Sequence, residues 1–290
     1  MSVRIARLYL YPIKSCAAVA LDECRVLATG LAHDREWMVV DAQGEMLTQR
    51  TQPRMALIRA RPDGALLRVA APGMPPLDVP MLCEVDQAGR RVDTGVWRDR
   101  FAALDCGPQA AQWFSAFLGQ AARLLRFDPA VARAVSPTWL GGRAAQTLFA
   151  DGYPLMVLGS ASLDDLNRRL AARGVPAVDM LRFRPNLVLE GLEPYEEDYL
   201  GAWTIGTQDG EVRLQMAKPC TRCPVPNVDP ARGAPDPRWP DEPMASLAEY
   251  RRDARVRDQV SFGRHAIVTA GAGARLACAQ RVDSEYDFAS

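Results

Sequence analysis

Trp203-Thr204-Ile205-Gly206-Thr207-Gln208-Asp209-Gly210-Glu211-Val212-Arg213-Leu214-Gln215-Met216-Ala217-Lys218-Pro219-Cys220-Thr221-Arg222-Cys223 carries both the fold signal and the chemistry. Trp203 and Ile205 alternate with polar neighbours, and so do Val212, Leu214 and Met216. The period of two is that of a strand with one buried face. Gln208-Asp209-Gly210 between them supplies the turn, because glycine accepts positive φ at little cost. The second strand of this hairpin runs into two thiols three positions apart. A lysine and an arginine beside them favour thiolate, the nucleophilic and metal-binding form of cysteine. Pro219 and Pro224 argue against an ordinary helix or central strand at that point.

Outward from this hairpin the pattern stays β-rich. Residues 3–10 are apolar and strand-like. Trp37-Met38-Val39-Val40 and Met46-Leu47 flank a turn, and Ala56-Leu57-Ile58 and residues 66–69 flank Pro62-Asp63-Gly64. Asn186 to Leu189 forms a further strand, and His265 to Thr269 is expected to be the last. Helices interrupt this pattern. Pro108 suits a first turn, Ala110, Trp113, Phe114, Phe117 and Leu118 fall on one face, and Gly119 closes the segment. A second helix starts near Ser160 or Ser162, buries Leu163, Leu166 and Leu170, and ends at Gly174; a short one covers residues 246–252. Residues 130–147 read as an irregular linker or lid. The expected fold is therefore mainly β with some α: a barrel-like β domain preceded by a smaller β-rich domain. The expected division is at 1–122 and 123–290.

Composition narrows the function. The chain has 290 residues, enough for one large or two modest domains. Lys+Arg 35 against Asp+Glu 35 leaves no net charge, which disfavours nucleic acid or an anionic membrane as a partner. No apolar run is long enough for a transmembrane helix, and the N-terminus lacks a secretory core, so a cytoplasmic location is the expectation. The cysteines number 7, an odd count scattered along the chain, which favours reduced thiols. The phosphate-loop, dinucleotide-binding and serine-hydrolase signatures are missing from the sequence.

Each candidate site has a bland reading beside the chemical one. Zinc at Cys220 and Cys223 needs further ligands, yet the chain has no second C-x-x-C and its only histidines are His33 and His265. A thioredoxin-type pair expects a helix where Pro224 and Pro226 stand. Two idle cysteines, a nucleophilic thiol, or one thiolate on a soft metal centre remain open. Lys14 and Ser15, in the turn after the first strand, can cradle an anion or simply be solvated. Arg35 can be a fork for phosphate or carboxylate, or pair locally with Asp34 and Glu36. Arg184 and Asn186, if extended, share one face and suit the edge of a heteroaromatic ligand. His265 can donate to a substrate or merely complete a hydrogen bond.

Together these segments resemble the MOSC-domain molybdenum-cofactor proteins that carry an N-terminal MOSC β-barrel domain, the amidoxime-reducing component family and its bacterial relatives. The resemblance rests on Tyr11-Pro12-Ile13-Lys14-Ser15-Cys16, Asp34-Arg35-Glu36-Trp37, Asp105-Cys106-Gly107 and Ala161-Ser162-Leu163-Asp164-Asp165-Leu166-Asn167. It continues through Phe183-Arg184-Pro185-Asn186, Cys220-Thr221-Arg222-Cys223, Val228-Asp229-Pro230 and Phe262-Gly263. It implies a molybdopterin cofactor whose metal is held by Cys223, the second cysteine of the motif. It implies further cofactor contacts from Lys14, Ser15, Arg35, Gly152, Tyr153, Arg184, Asn186, Thr221 and Arg222. Gly152 and Tyr153 stand where the family has small and hydroxyl residues, and His265 stands where relatives carry a tyrosine.

What the resemblance implies for activity is a molybdenum-dependent oxidoreductase that reduces N-hydroxylated compounds, such as amidoximes, hydroxylamines and N-hydroxylated bases, by abstracting oxygen at the metal. Asp229 and His265 are expected to relay protons. The alternative is a module that binds or carries the cofactor or sulfur. No Fe–S cysteine spacing is present in the sequence, so a separate ferredoxin, flavodoxin or cytochrome-type protein is expected to supply electrons, with no nucleic acid and no membrane as partner.

Overall fold

A computed structural model describes residues 2–82 and 91–287. Among the described residues strands dominate and three α-helices accompany them, so the expected class, mainly β with some α, holds. The largest sheet has nine strands. Its order is Val19–Leu21, Arg4–Leu10, Leu187–Glu190, Leu155–Gly159, Gln259–Ala270, Gly210–Thr221, Leu200–Thr207 and Val282–Tyr286, with Arg252–Asp253 added beside Gln259–Ala270. A four-stranded sheet orders Trp37–Asp41, Ala122–Phe127, Asp99–Asp105 and Arg91–Val96. Arg59–Asp63, Leu66–Ala70 and Leu77–Pro80 form a small meander whose Ala60, Leu67, Val69, Leu77 and Val79 share a core with Val39, Phe114 and Leu124.

Local physics explains most elements. The hairpin read from the sequence pairs Trp203 with Leu214 and Ile205 with Val212, and Thr207–Gly210 closes it. Helix α1 (Pro108–Leu118) buries Ala110, Trp113, Phe114, Phe117 and Leu118, the residues its spacing puts on one face. Burying each large side chain there is worth roughly 2 kcal/mol. Gly119 ends it in the left-handed region at φ 70°. Helix α2 (Ser160–Ala172) turns Leu166 and Leu170 inward, and α3 (Met244–Tyr250) begins two residues earlier than expected.

Four expectations need correction. Ala56 belongs to a 3-10 turn, Pro53–Leu57, rather than a strand, because Pro53 at its start presets helical φ; the hairpin begins only at Arg59. Residues 130–147 are no loose linker. Ala134 bridges to Gln146, and Val135 and Leu140 are buried with Tyr153, Ala217 and Ile267. His265 lies within Gln259–Ala270, and among the described residues two strands follow it. Of these, Arg275–Ala277 pairs with Glu23–Leu27 and Val282–Tyr286 with Leu200–Thr207.

The first strand crosses into the larger sheet. Arg4–Leu10 pairs with Leu187–Glu190, and Ile5, Leu8 and Leu10 share a core with Leu187, Leu189, Trp203 and Leu214. The chain therefore starts inside the larger sheet before building the smaller one. Finally, Pro219 and Cys220 do lie in a central strand. The register against Gln259–Ala270 shifts on both sides of Pro219, and these bulges absorb the residue that cannot donate to a ladder.

Candidate functional site

Because the first strand belongs to the larger sheet, the turn that follows it opens onto a cleft of about 440 Å³ between the two halves of the chain. Lys14, Ser15, Arg35, Gly152, Tyr153, Arg184, Asn186, Thr221, Arg222, Cys223 and His265 all line it. These residues come from six separate segments, and only the tertiary fold brings them together.

The backbone supports the cluster at positions that L-residues rarely adopt. Ser15, Arg35 and Arg184 have φ of 64°, 48° and 58°. Such conformations persist where surrounding contacts over-determine them, and they concentrate at ligand-holding sites. The value at Arg184 overturns one expectation. It ends a 3-10 turn, Met180–Phe183, so the alternation that put Arg184 and Asn186 on one extended face does not apply.

Positive charge collects in little water. The Lys14 side chain is almost fully buried, and its Nζ donates to the Phe149 carbonyl at 2.9 Å and to Asp151 Oδ1 at 2.6 Å. Burial lowers its pKa, with Asp151 opposing. Arg35 and Arg184 sit over the Tyr11 ring at 4.2 and 4.3 Å from its centroid. Arg35 is answered by Asp34 and by Asn186 Oδ1 at 3.1 Å. Arg184 donates through Nη1 to the Cys16 carbonyl at 2.7 Å, but its buried Nη2 has no hydrogen-bond partner among the described residues. Burial pushes the Arg184 pKa down, and the neighbouring Arg35 adds to it. A buried donor on a cation, left unpaired beside a second cation, is costly unless an anion completes it.

Two other expected contacts are already engaged. Asn186 Oδ1 accepts from Met156 N and Arg35, and its Nδ2 donates to the Tyr9 carbonyl at 3.2 Å. The amide thus ties strands together and orients Arg35. Arg222 donates to the carbonyls of Phe262 and Phe183, at 2.9 Å through Nε and 2.8 Å through Nη1. It anchors the cysteine segment to the sheet. Arg182, which sequence reasoning passed over, does the same from the other side, donating to the carbonyls of Pro226 and Asn227 at 3.2 and 3.1 Å.

The two cysteines are unequal free thiols. Cys220 is 6% exposed and packs with Phe183 and Phe262, whereas Cys223 is half-buried at the cleft and outside the apolar clusters. Burial alone would raise the Cys220 thiol, but Arg222 and His265 outweigh it and bring it to about 7. Arg222 thus favours the thiolate form of Cys220. His265 stacks on Tyr153 with ring centroids 5.0 Å apart, and burial holds the Tyr153 phenol up at about 12. No group of three or more His, Cys, Asp or Glu side chains suited to a metal occurs among the described residues.

Asp229 is the expected site residue that the fold does not bring to the cleft. It lines a neighbouring cavity, and its carboxylate lies 3.4 Å from Arg182 and caps Ala231 N. Its proximity to the cysteines along the chain misled the sequence reading, because the 3-10 turn Val225–Asn227 redirects the backbone before it. Asp151, Trp97, Arg133 and Met156 were missed. Arg133 donates to the carbonyls of Leu148 and Asp151 at 2.7 and 3.2 Å, and so fixes the loop that presents Asp151 to Lys14. Lys14 and Asp151 stand 137 positions apart, and no local signal joins them.

Known proteins resemble this chain along most of its length. A family model described as the MOSC N-terminal beta barrel domain matches residues 2–121, and one described as the MOSC domain matches residues 144–280. Mitochondrial amidoxime-reducing component 1 of Mus musculus is 35% identical over 85% of this chain and 71% of its own length. Mitochondrial amidoxime reducing component 2 of Rattus norvegicus is 32% identical, over 85% and 72%. The molybdenum cofactor sulfurase of Homo sapiens is 30% identical over 79% of this chain, which corresponds to 27% of that longer protein.

Proposed function

The chain belongs to the two-domain MOSC family that includes the amidoxime-reducing components, and from that premise we propose that it is a molybdenum-cofactor-dependent reductase of N-hydroxylated compounds. The observation that carries the reading is the cleft itself. The buried cation Lys14 and the part-buried cations Arg35 and Arg184, the last with an unpartnered donor, face the same space as the half-exposed thiol of Cys223. This donor set fits a phosphorylated cofactor with a metal-bound thiolate. A phosphate monoester brings roughly −1.5 to −2 charges, and each charge-assisted hydrogen bond to it contributes about 1.5–3 kcal/mol.

In this reading Lys14, Ser15, Arg35 and Arg184 hold the anionic part, and Cys223 Sγ ligates the metal. Asn186 and Arg222 act one step back, orienting Arg35 and the cysteine segment. Gly152, Tyr153 and Thr221 shape the wall. The bound cofactor supplies the two-electron chemistry that removes oxygen from an N–O bond. Each turnover consumes two electrons from a separate donor protein of the ferredoxin, flavodoxin or cytochrome type, consumes two protons, and releases water and the reduced nitrogen compound. Cys220 Sγ, brought to about 7, can hold or release a proton within the cleft near neutral pH. His265 beside it, packed on Tyr153, keeps the role in proton supply first given to it; Asp229 does not.

The sulfurase likeness supports a second reading, a module that retains the cofactor for delivery. One experiment separates the two. The chain is produced in hosts with and without cofactor synthesis, and bound molybdenum and benzamidoxime reduction with an artificial donor are measured. The reductase reading expects stoichiometric molybdenum and turnover. Metal without turnover favours the carrier, and no metal sinks both. Cys223→Ser is expected to lose the metal, and Cys220→Ser to retain it; the reverse result would move the ligand to Cys220.

A further inference from the structure

Three aromatic side chains line the cleft, and two are already committed. Tyr153 is 7% exposed and stacked on His265, and Phe183 is 1% exposed beneath Arg222. Trp97 is different: it lines the same cleft with 44% of its surface exposed. It sits in the two-residue turn between the paired residues Val96 and Asp99, at φ 58°. Glycine, asparagine or aspartate normally fills such a position, and a bulky residue there is an outlier. Neither fold stability nor solubility favours an exposed indole at that point.

Its neighbours hold the ring in one place. The Arg50 guanidinium lies over it, 4.3 Å from the centroid, and the indole Nε1 donates to Asp151 Oδ1 at 3.1 Å. That same oxygen accepts from Lys14. The ring is thus tied to the cation cluster at one edge and covered by a cation on one side, while much of its surface stays open. A flat π-face held this way takes another flat ring.

Resting on the reductase reading, we propose that Trp97 is an aromatic shelf at the exposed edge of the cleft that selects planar aromatic or heteroaromatic N-hydroxylated compounds over aliphatic ones. It is a specificity residue contributed by the smaller sheet to chemistry held by the larger one.

The test uses the cofactor-loaded protein as wild type, Trp97→Phe and Trp97→Ala, each checked for molybdenum content. Steady-state kcat/KM is measured for benzamidoxime and acetamidoxime with an artificial donor. Binding of benzamidoxime to the oxidised protein, with no donor present, is measured by calorimetry. Trp97→Ala is expected to lower the benzamidoxime-to-acetamidoxime ratio of kcat/KM about tenfold and to weaken benzamidoxime binding similarly, the size of one ring-stacking contact. Trp97→Phe, which keeps a ring but loses the bond to Asp151, should hold both within about threefold of wild type. An unchanged ratio in Trp97→Ala overturns the proposal. So does a loss in Trp97→Phe as large as in Trp97→Ala, since the bond to Asp151 would then be what matters. If wild type binds benzamidoxime, Trp97→Ala does not, and neither amidoxime is turned over, the shelf stands and the reductase reading falls. If acetamidoxime is reduced but benzamidoxime never binds, the shelf falls alone.

Discussion

Lys14 places an ammonium group where little water reaches it, answered by one carboxylate and one carbonyl. Removing it relieves a desolvated charge and costs the fold little, because its partner Asp151 can turn to solvent. What it costs is the anion. Lys14→Met is expected to weaken cofactor retention about tenfold or more, the worth of one charge-assisted hydrogen bond. Molybdenum content after gel filtration reads this, with thermal unfolding as the control. Retention equal to wild type would mean that Lys14 serves only Asp151. The residue scale also shows how misleading chemical type alone can be. Arg222 and Asn186 carry the donors a ligand would want, and the structure finds them bonded to carbonyls and to Arg35. Which donors are free is decided by what the fold leaves over.

At the scale of elements, the decisive piece is Gln259–Ala270, which pairs with both Leu155–Gly159 and Gly210–Thr221. It carries His265 into the cleft and presents the Phe262 carbonyl that holds Arg222. Gly263 between them has φ 78°, and a Cβ there would lie 2.5 Å from the Val157 carbonyl oxygen and 2.6 Å from Met156 Cε. Gly263→Ala is therefore expected to destabilise the protein by about 2–3 kcal/mol in urea unfolding. Wild-type stability in that variant would show that the two strands can separate freely, and the close approach would then have no role in placing His265. Elements with a local period were legible beforehand: α1 from its apolar face and the Trp203–Met216 hairpin from its alternation. The strand through Pro219 was not, because a bulge is tolerated or forbidden by the partner strand, which sequence position does not reveal.

Taken as a whole, the molecule threads its first strand through the core of its last domain, so stability and site are coupled across the chain. One pH effect follows at this scale. Glu197 is 1% exposed, accepting from Ser162 Oγ at 2.8 Å and from Gly159 N at 3.2 Å at the start of α2. Burial, with Asp198 adding to it, raises its pKa from 4.5 to about 7. Below 4.5 both folded and unfolded forms hold the proton, and nothing is lost. Between 4.5 and about 7 only the folded form holds it, so the unfolded state binds fewer protons and stability falls as pH rises. The stability difference between wild type and Glu197→Gln should shift against wild type by about 2 kcal/mol from pH 5 to pH 7.5. Urea unfolding at both values measures it, and a constant difference would refute the raised pKa.

The amino-acid sequence by itself determined the β-rich class, the helix α1, the hairpin leading to Cys220 and Cys223, and the family. Each is written in neighbouring residues, through side-chain period, turn chemistry or an ordered set of short motifs. Eleven of the residues it singled out line the cleft. Only the tertiary structure decided that Asp229 turns away, that Asp151 answers Lys14 from across the chain, and that Arg184 keeps an unpartnered donor. It alone put Trp97 at the cleft's edge. These are matters of distance between segments remote in sequence, and of whether a donor has already been satisfied. Both depend on how the two sheets pack together, which no local pattern encodes.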